Sequence, residues 1–170
     1  MPPELARKTI ASGWNAFIGY GMTETCSHVA LRRLDDPSEV YRAMPGVTFE
    51  AGRDGCLAVV APHYSFRRLE TRDIVTILSP TEMCWRGRAD NVIISGGRKF
   101  FPEELEKTYA PLLEGRRFYV CGRPDEKWGQ AVTVVMEGEP MESVPCLPFC
   151  KAVEYVPELP RTANGKIIRR

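Results

Sequence analysis

Short apolar runs bounded by glycine, proline or aspartate constrain the fold of this chain more than any other feature. The longest apolar stretch, residues 56–62 (CLAVVAP), falls far short of the roughly 20 residues that a membrane-spanning helix needs. The runs up to about Arg88 are rich in β-branched residues and end at turn-forming residues, which is typical of β-strands. We therefore expect a globular chain whose first half is mostly β.

Composition and charge exclude several classes of function. The 170 residues include 23 lysines and arginines and 22 aspartates and glutamates, which gives a formal net charge of +1. Because this balance provides no overall field, neither nucleic acid nor a membrane is expected as a partner. No apolar signal region is expected at the start, and the six cysteines have no dense or paired spacing, which favours a cytoplasmic protein. Cys146 and Cys150 alone do not make a zinc site, since both histidines lie far upstream.

Local patterns predict one helix and several strands in the first half. The predicted elements are a helix over 4–12, a strand over 16–20, a β-hairpin that joins 47–50 to 56–61, and a strand over 73–78. The hairpin is expected because the turn residues 52–55 (GRDG) separate its two runs.

A helix with one apolar face is predicted in the second half. It begins at Pro102, because proline suits the first helical position. Leu105, Tyr109 and Leu112 are spaced so that they share one face, which is expected to be buried. Gly115 is expected to end the helix.

Short strands surround that helix and complete the predicted fold. They cover 91–95, 118–121, 131–136 and 151–156, with a tight connection at residues 96–97 and an irregular tail over the last ten residues. The expected fold class is therefore α+β. A mostly β segment of residues 1–89 is followed by a small α+β domain of residues 90–170.

A polar segment just after the first predicted strand is a candidate functional site. Residues 20–25 (YGMTET) combine an aromatic ring, a glycine, hydroxyls and a carboxylate at a strand end, where the backbone can meet a ligand. Such groups can stack on a base, donate to phosphate and hold magnesium. From the residues alone, a polar turn with a Thr-Glu helix cap is the alternative.

Two further segments carry charged residues, and for each a functional role and a purely structural role are both open. Arg88 and Asp90, at the boundary between the halves, either contact a ligand or form a surface ion pair that contributes little. Lys166 follows the turn residues Asn164 and Gly165, and is either a functional cation or part of a solvated run of charge.

Taken together and in this order, the segments resemble the adenylate-forming superfamily of acyl- and aryl-CoA ligases, luciferases and peptide-synthetase adenylation domains. The matching segments are 20–24 (YGMTE), 71–73 (TRD), 87–90 (GRAD), 95–106 and 160–166. The resemblance extends from Phe17 onward and corresponds to the C-terminal third of such an enzyme. It implies that 1–89 is the end of a large domain and 90–170 a small lid domain. The family's Ser/Thr/Gly-rich phosphate loop has no counterpart in this sequence, so the chain is expected to be a fragment.

The resemblance implies a nucleotide role for the first motif. Tyr20, followed by Gly21, would stack on the adenine of ATP or AMP. Thr23 would bind the α-phosphate. Glu24 would ligate Mg²⁺, a cation that prefers carboxylate and phosphate oxygens.

The later motifs would complete the site. Asp73 would accept hydrogen bonds from the ribose hydroxyls, and Arg88 would approach the same sugar. Asp90 would be the hinge about which the lid rotates between acyl-adenylate formation and thioester formation with CoA. Gly97 would lie beside the CoA tunnel, and Lys166 would bridge the acyl carboxylate and the α-phosphate.

Some residues depart from the family pattern. Arg72 replaces the usual glycine before Asp73, and the connection over 62–70 is short. Residues 139–150 contain three prolines, so the helix that usually precedes the last strand is expected to be reduced.

Within the superfamily, four segments resemble the o-succinylbenzoate–CoA ligases of menaquinone synthesis: 22–28, 45–49, 71–75 and 90–97. This resemblance implies a small carboxylic acid, ATP and CoA as substrates. The alternatives are a general fatty- or aryl-acyl-CoA ligase, an adenylation domain that serves a carrier protein, and a non-catalytic binding fragment. Ser27 and His28 either line the acyl pocket or have a structural polar role.

Overall fold

Two units make up the computed structural model of the chain, which describes residues 3–163, 165 and 167–169. They are Met1–Arg86 and Gly87–Arg170. This division falls slightly upstream of the boundary expected between residues 89 and 90, and the hinge at Asp90 remains a prediction.

Antiparallel strands dominate the first unit. Its elements are helix α1 (Pro3–Ala11) and strands β1 (Phe17–Gly21), β2 (His28–Arg33), β3 (Val40–Ala43), β4 (Thr48–Ala51), β5 (Cys56–Ala61), β6 (Arg67–Ser79) and β7 (Glu82–Arg88), whose last two residues are counted in the second unit. They form one seven-stranded sheet in the order β1-β2-β3-β7-β6-β5-β4. The core is centred on β5, where Leu57, Val59 and Ala61 are fully buried.

The predicted hairpin is confirmed, because β4 and β5 pair antiparallel with Thr48 opposite Val60. Strands β2, β3 and β7 were not predicted. Each contains arginine and at most one β-branched residue, Val29 in β2 and Val40 in β3, so no β-branched run marks them. They are held by the sheet, in which β3 pairs with both β2 and β7.

The second unit consists of a helix and a five-stranded sheet, which is smaller than the sheet of the first unit. Its elements are strands β8 (Ile93–Ser95) and β9 (Arg98–Phe100), helix α2 (Pro102–Tyr109), and strands β10 (Phe118–Asp125), β11 (Gly129–Glu137) and β12 (Ala152–Val156). The sheet order is β10-β11-β8-β9, and β12 pairs parallel with β11. The α+β fold class is confirmed. None of the helices that the described residues form is long and apolar enough to cross a membrane.

The predicted end of helix α2 was wrong. The helix ends at Tyr109, because Pro111 has no N–H to continue the hydrogen-bond ladder. Beyond that point the chain turns, so that Leu113 is fully buried while Leu112 is 41% exposed. Leu105 and Tyr109 are buried as expected, but Leu112 does not share their face.

Candidate functional site

The carboxylate of Asp73 is the centre of a buried polar cluster in the first unit. Asp73 lies on β6 and is 7% exposed. The Tyr20 hydroxyl donates to its Oδ2 over 2.7 Å, and the indole Nε1–H of Trp85 donates to its Oδ1 over 3.1 Å. The backbone N–H of Asp73 donates to the Thr71 hydroxyl over 3.0 Å, which anchors the strand beside the carboxylate.

The sheet must curve to bring Tyr20 to Asp73. Tyr20 lies on β1 and Asp73 on β6, and β2, β3 and β7 lie between them in the strand order. In a flat sheet, four spacings would separate these strands by about 19 Å, more than the two side chains can span. The tyrosine and the aspartate, which the resemblance assigns to adenine and ribose, are therefore neighbours only because of the fold.

Trp85 is a residue that the sequence analysis missed. It lies on β7, which neighbours β6 in the sheet, and its partly buried side chain reaches Asp73. The available signal in the sequence was the short apolar run Met83–Trp85, which ends three residues before Arg88. That signal was overlooked because β7 itself was not predicted.

The segment after β1 forms a tight turn that presents two of the predicted residues. Residues Thr23–Thr25 make a single 3-10 turn. The buried Thr25 hydroxyl accepts from the Met22 N–H over 3.0 Å and donates to the Ser27 carbonyl over 2.6 Å. Thr25 thus stabilises the turn, while Thr23 and Glu24 are exposed.

Gly21 is required where this turn folds back on the chain. A Cβ atom at this position would lie 2.6 Å from His28 Cα, closer than real side chains approach a backbone atom. The pairing of β1 with β2 is irregular between Tyr20 and Gly21. The Ser27 hydroxyl lies 3.1 Å from His28 Nδ1, and both residues are exposed. Their assignment to an acyl pocket stays a prediction.

Arg88 and Asp90, in the second unit, form an ion pair of 3.2 Å with side chains 47% and 48% exposed. The surface ion pair expected as the structural alternative is therefore present. Its presence does not test the nucleotide role of Arg88 or the hinge role of Asp90. Asp90 lies in the 3-10 turn Ala89–Asn91. Asn91 donates to Glu103 over 2.6 Å, which ties this turn to helix α2.

Gly97 lies in the tight connection between β8 and β9. Gly96 and Gly97 have φ values of +56° and +76°, a conformation that glycine adopts without strain. A Cβ atom at Gly97 would meet nothing within 4 Å, whereas one at Gly96 would meet the Trp128 ring at 2.7 Å. The turn itself accounts for glycine at 97, and its place at a CoA tunnel stays a prediction.

Lys166 lies outside the described residues. Described residues on either side of it make contacts within the second unit: Arg161 pairs with Ile167, and Arg169 forms a 2.7 Å ion pair with Glu106 on α2. Burial raises the pKa of Glu106 above its ordinary value, and Arg169 opposes that shift. A partly buried ion pair thus connects the tail to the core of the second unit.

Comparison with known proteins identifies relatives of the chain. No model of a known protein family matches it. The 2-succinylbenzoate–CoA ligase of Lactococcus lactis is 29% identical, in an alignment that covers 100% of this chain and 44% of that protein. The indoleacetate–CoA ligase of Aromatoleum aromaticum is 35% identical, over 48% of this chain and 18% of that protein.

A solved structure shows the same fold. The o-succinylbenzoate–CoA synthetase of Bacillus subtilis, in complex with ATP and magnesium, is matched with a TM-score of 0.79 and 19% identity. The match covers 98% of this chain and 43% of that one.

The fold is that of the C-terminal part of adenylate-forming CoA ligases. The homologues and structural neighbours of the chain are o-succinylbenzoate–CoA ligases and other ligases of this class, so the resemblance found in the sequence is confirmed. The chain spans less than half the length of these curated relatives.

Proposed function

We propose that this chain is the C-terminal part of an AMP-forming ligase that joins o-succinylbenzoate to CoA. In the first half-reaction, a carboxylate oxygen of the acid attacks the α-phosphorus of ATP and pyrophosphate leaves. In the second, the CoA sulfur attacks the acyl carbon of the adenylate and AMP leaves. The hydrogen bond between Tyr20 and Asp73 is the observation that carries the proposal.

The Tyr20–Asp73 contact matches the shape of adenosine. Base and ribose are directly bonded, so a site needs an aromatic surface and a sugar-binding group side by side. The Tyr20 ring is partly buried and packs edge-on with Tyr41 at a centroid distance of 6.0 Å. The Asp73 carboxylate, held next to it, provides acceptors for ribose hydroxyls.

Glu24 is the proposed ligand of Mg²⁺. It is exposed on the turn after β1 and makes no hydrogen bond or ion pair within the described part of the chain. Among the residues that the structure describes, no three histidine, cysteine, aspartate or glutamate side chains form a cluster that could hold a metal ion. A single carboxylate nevertheless fits magnesium, which is commonly held by one or two carboxylates together with phosphate oxygens. When bound, the ion would neutralise charge on the phosphates, beside which Thr23 would donate to the α-phosphate.

The second unit would serve both half-reactions. Arg88 would approach the ribose, Asp90 would be the hinge, and Gly97 would lie beside the CoA thiol. Lys166 would stabilise the negative charge that grows on the reacting oxygens. We also propose that the protein acts in the cytoplasm and that its partners are small molecules, not nucleic acid or a membrane.

A different aromatic acid is the second candidate substrate. The indoleacetate–CoA ligase is more identical to this chain than the o-succinylbenzoate ligases are, although over only half of it, which supports an aryl-acid ligase. The relatives that align over the full chain favour o-succinylbenzoate.

Specificity constants decide between the candidates. Thioester formation by the ligase that contains this chain is measured with o-succinylbenzoate, indoleacetate and a long-chain fatty acid. We expect the largest kcat/KM with o-succinylbenzoate. A larger value with indoleacetate would establish the second candidate, and no thioester with any acid would favour a binding fragment without catalysis.

A further inference from the structure

Trp85 restrains the Asp73 carboxylate from a neighbouring strand. Its Nε1–H donates to Oδ1, while the Tyr20 hydroxyl donates to Oδ2. The end torsion of an aspartate side chain is broad, so donors on both oxygens restrain the orientation of the carboxylate more than a donor on one oxygen does. Donors on both oxygens fix its plane.

The two donors differ in what they can do. A tyrosine hydroxyl can donate or accept, so Tyr20 can also turn its lone pairs toward a ligand. An indole N–H only donates, so Trp85 can only hold the carboxylate and cannot compete with it for a ligand proton. A carboxylate offers about four acceptor positions, so it can accept from several donors at once.

We propose that Trp85 is a positioning residue, which orients the Asp73 carboxylate toward the two hydroxyls of ribose and so gives the site its preference for ribonucleotides over deoxynucleotides. This inference rests on the proposed nucleotide function. The hydroxyls of ribose are neighbours on one ring and match the two oxygens of a carboxylate whose plane is fixed. Without the indole N–H, the carboxylate can adopt additional orientations. In these orientations its two oxygens no longer face both ribose hydroxyls.

The test compares AMP with 2′-deoxy-AMP and 3′-deoxy-AMP. Dissociation constants are measured by NMR titration of the wild-type chain and of Trp85→Phe, which keeps an aromatic ring but lacks the N–H. Trp14→Phe is the matched control, because Trp14 is 76% exposed in the same unit. We expect wild type and Trp14→Phe to prefer AMP, and Trp85→Phe to lose about threefold or more of that preference.

The ratio of constants separates positioning from a structural role. A general loosening of the site would weaken all three nucleotides equally and leave the preference unchanged, and that outcome overturns the inference while the proposed function stands. Failure of the wild-type chain to bind AMP overturns the inference and the nucleotide function together.

A second measurement needs no variant that could fail to fold. The indole N–H resonance of Trp85 in the wild-type chain reports the hydrogen bond to Asp73. We expect this resonance to shift when AMP is added, because the carboxylate then shares its oxygens with ribose hydroxyls, and to shift much less with 2′,3′-dideoxy-AMP. Equal shifts with both nucleotides would contradict the inference.

Discussion

The Tyr20 hydroxyl donates a 2.7 Å hydrogen bond to Oδ2 of Asp73, across a sheet in which three other strands separate the strands that carry them. The residues are 53 positions apart in the sequence. A bond of this kind connects the edge strand of the sheet to its interior. It therefore links the stability of the first unit to the geometry of the proposed adenosine site.

Removing the Tyr20 hydroxyl should destabilise the first unit. Tyr20→Phe keeps the ring but leaves the buried carboxylate with one donor fewer, so we expect the free energy of unfolding to fall by about 1 to 2 kcal/mol. Urea denaturation followed by circular dichroism measures it. Tyr155→Phe is the control: the Tyr155 hydroxyl is buried and has no hydrogen-bond partner among the described residues, so its removal should cost nothing. Equal stability of Tyr20→Phe and wild type would show that the bond is not maintained in solution.

A methyl group at Gly21 should disrupt the turn that carries Thr23 and Glu24. We expect Gly21→Ala to cost about 2 kcal/mol or more, because the added Cβ collides with the backbone at His28. Gly19→Ala is a matched control on the same strand, since its Cβ would lie 3.2 Å from the His28 Cβ, which can yield slightly. Thermal unfolding compares the two variants. A Gly21→Ala variant no less stable than Gly19→Ala would contradict the close approach.

The partly buried carboxyl of Glu106, which pairs with Arg169, makes the stability of the second unit depend on pH. Burial raises the pKa of Glu106 in the folded chain, so the folded state holds a proton that the unfolded state releases. The contribution of Glu106 to stability is therefore full below its unfolded pKa and declines as pH rises through the raised folded value.

The difference in unfolding free energy between wild type and Glu106→Gln isolates this contribution. We expect that difference to decrease as pH rises from about 4.5 toward neutrality. Glu126→Gln, at an exposed glutamate in the same unit, is the matched control for replacing a surface carboxylate with an amide. An increase with pH for Glu106→Gln would mean that Arg169 outweighs burial and lowers the pKa.

The sequence predicted elements whose signal is local. The hairpin of β4 and β5 follows from two apolar runs and a glycine turn, and α2 begins at Pro102 as expected. Strand β10 continues through Pro124 because it lies at the edge of its sheet, where a missing N–H costs little. That tolerance depends on strand order, which a single sequence does not display.

The candidate site was predicted only in part, for the same reason. Tyr20 and Asp73 were both identified, but as separate motifs. Their contact depends on the curvature of the sheet, and the role of Trp85 depends on which strand pairs with β6. These are long-range relationships that no spacing along the chain reveals.

Lys166 should act in one half-reaction. In the ligase that contains this chain, Lys166→Ala is expected to slow acyl-adenylate formation about a hundred- to thousandfold, because a positioned cation no longer meets the developing charge. Thioester formation from a supplied acyl-adenylate should stay near the wild-type rate. Rapid-quench measurement of both half-reactions checks this. A near-normal rate of acyl-adenylate formation would show that Lys166 is only part of a solvated run of charged residues.

The affinity of this chain for AMP, compared between wild type and Asp73→Asn, tests the proposed adenosine site most directly. Asp54→Asn is the control, since Asp54 is exposed in the same unit and its left-handed backbone suits asparagine. We predict that Asp73→Asn raises the dissociation constant about tenfold or more while Asp54→Asn leaves it unchanged. A folded Asp73→Asn variant that binds AMP as tightly as wild type would contradict the account.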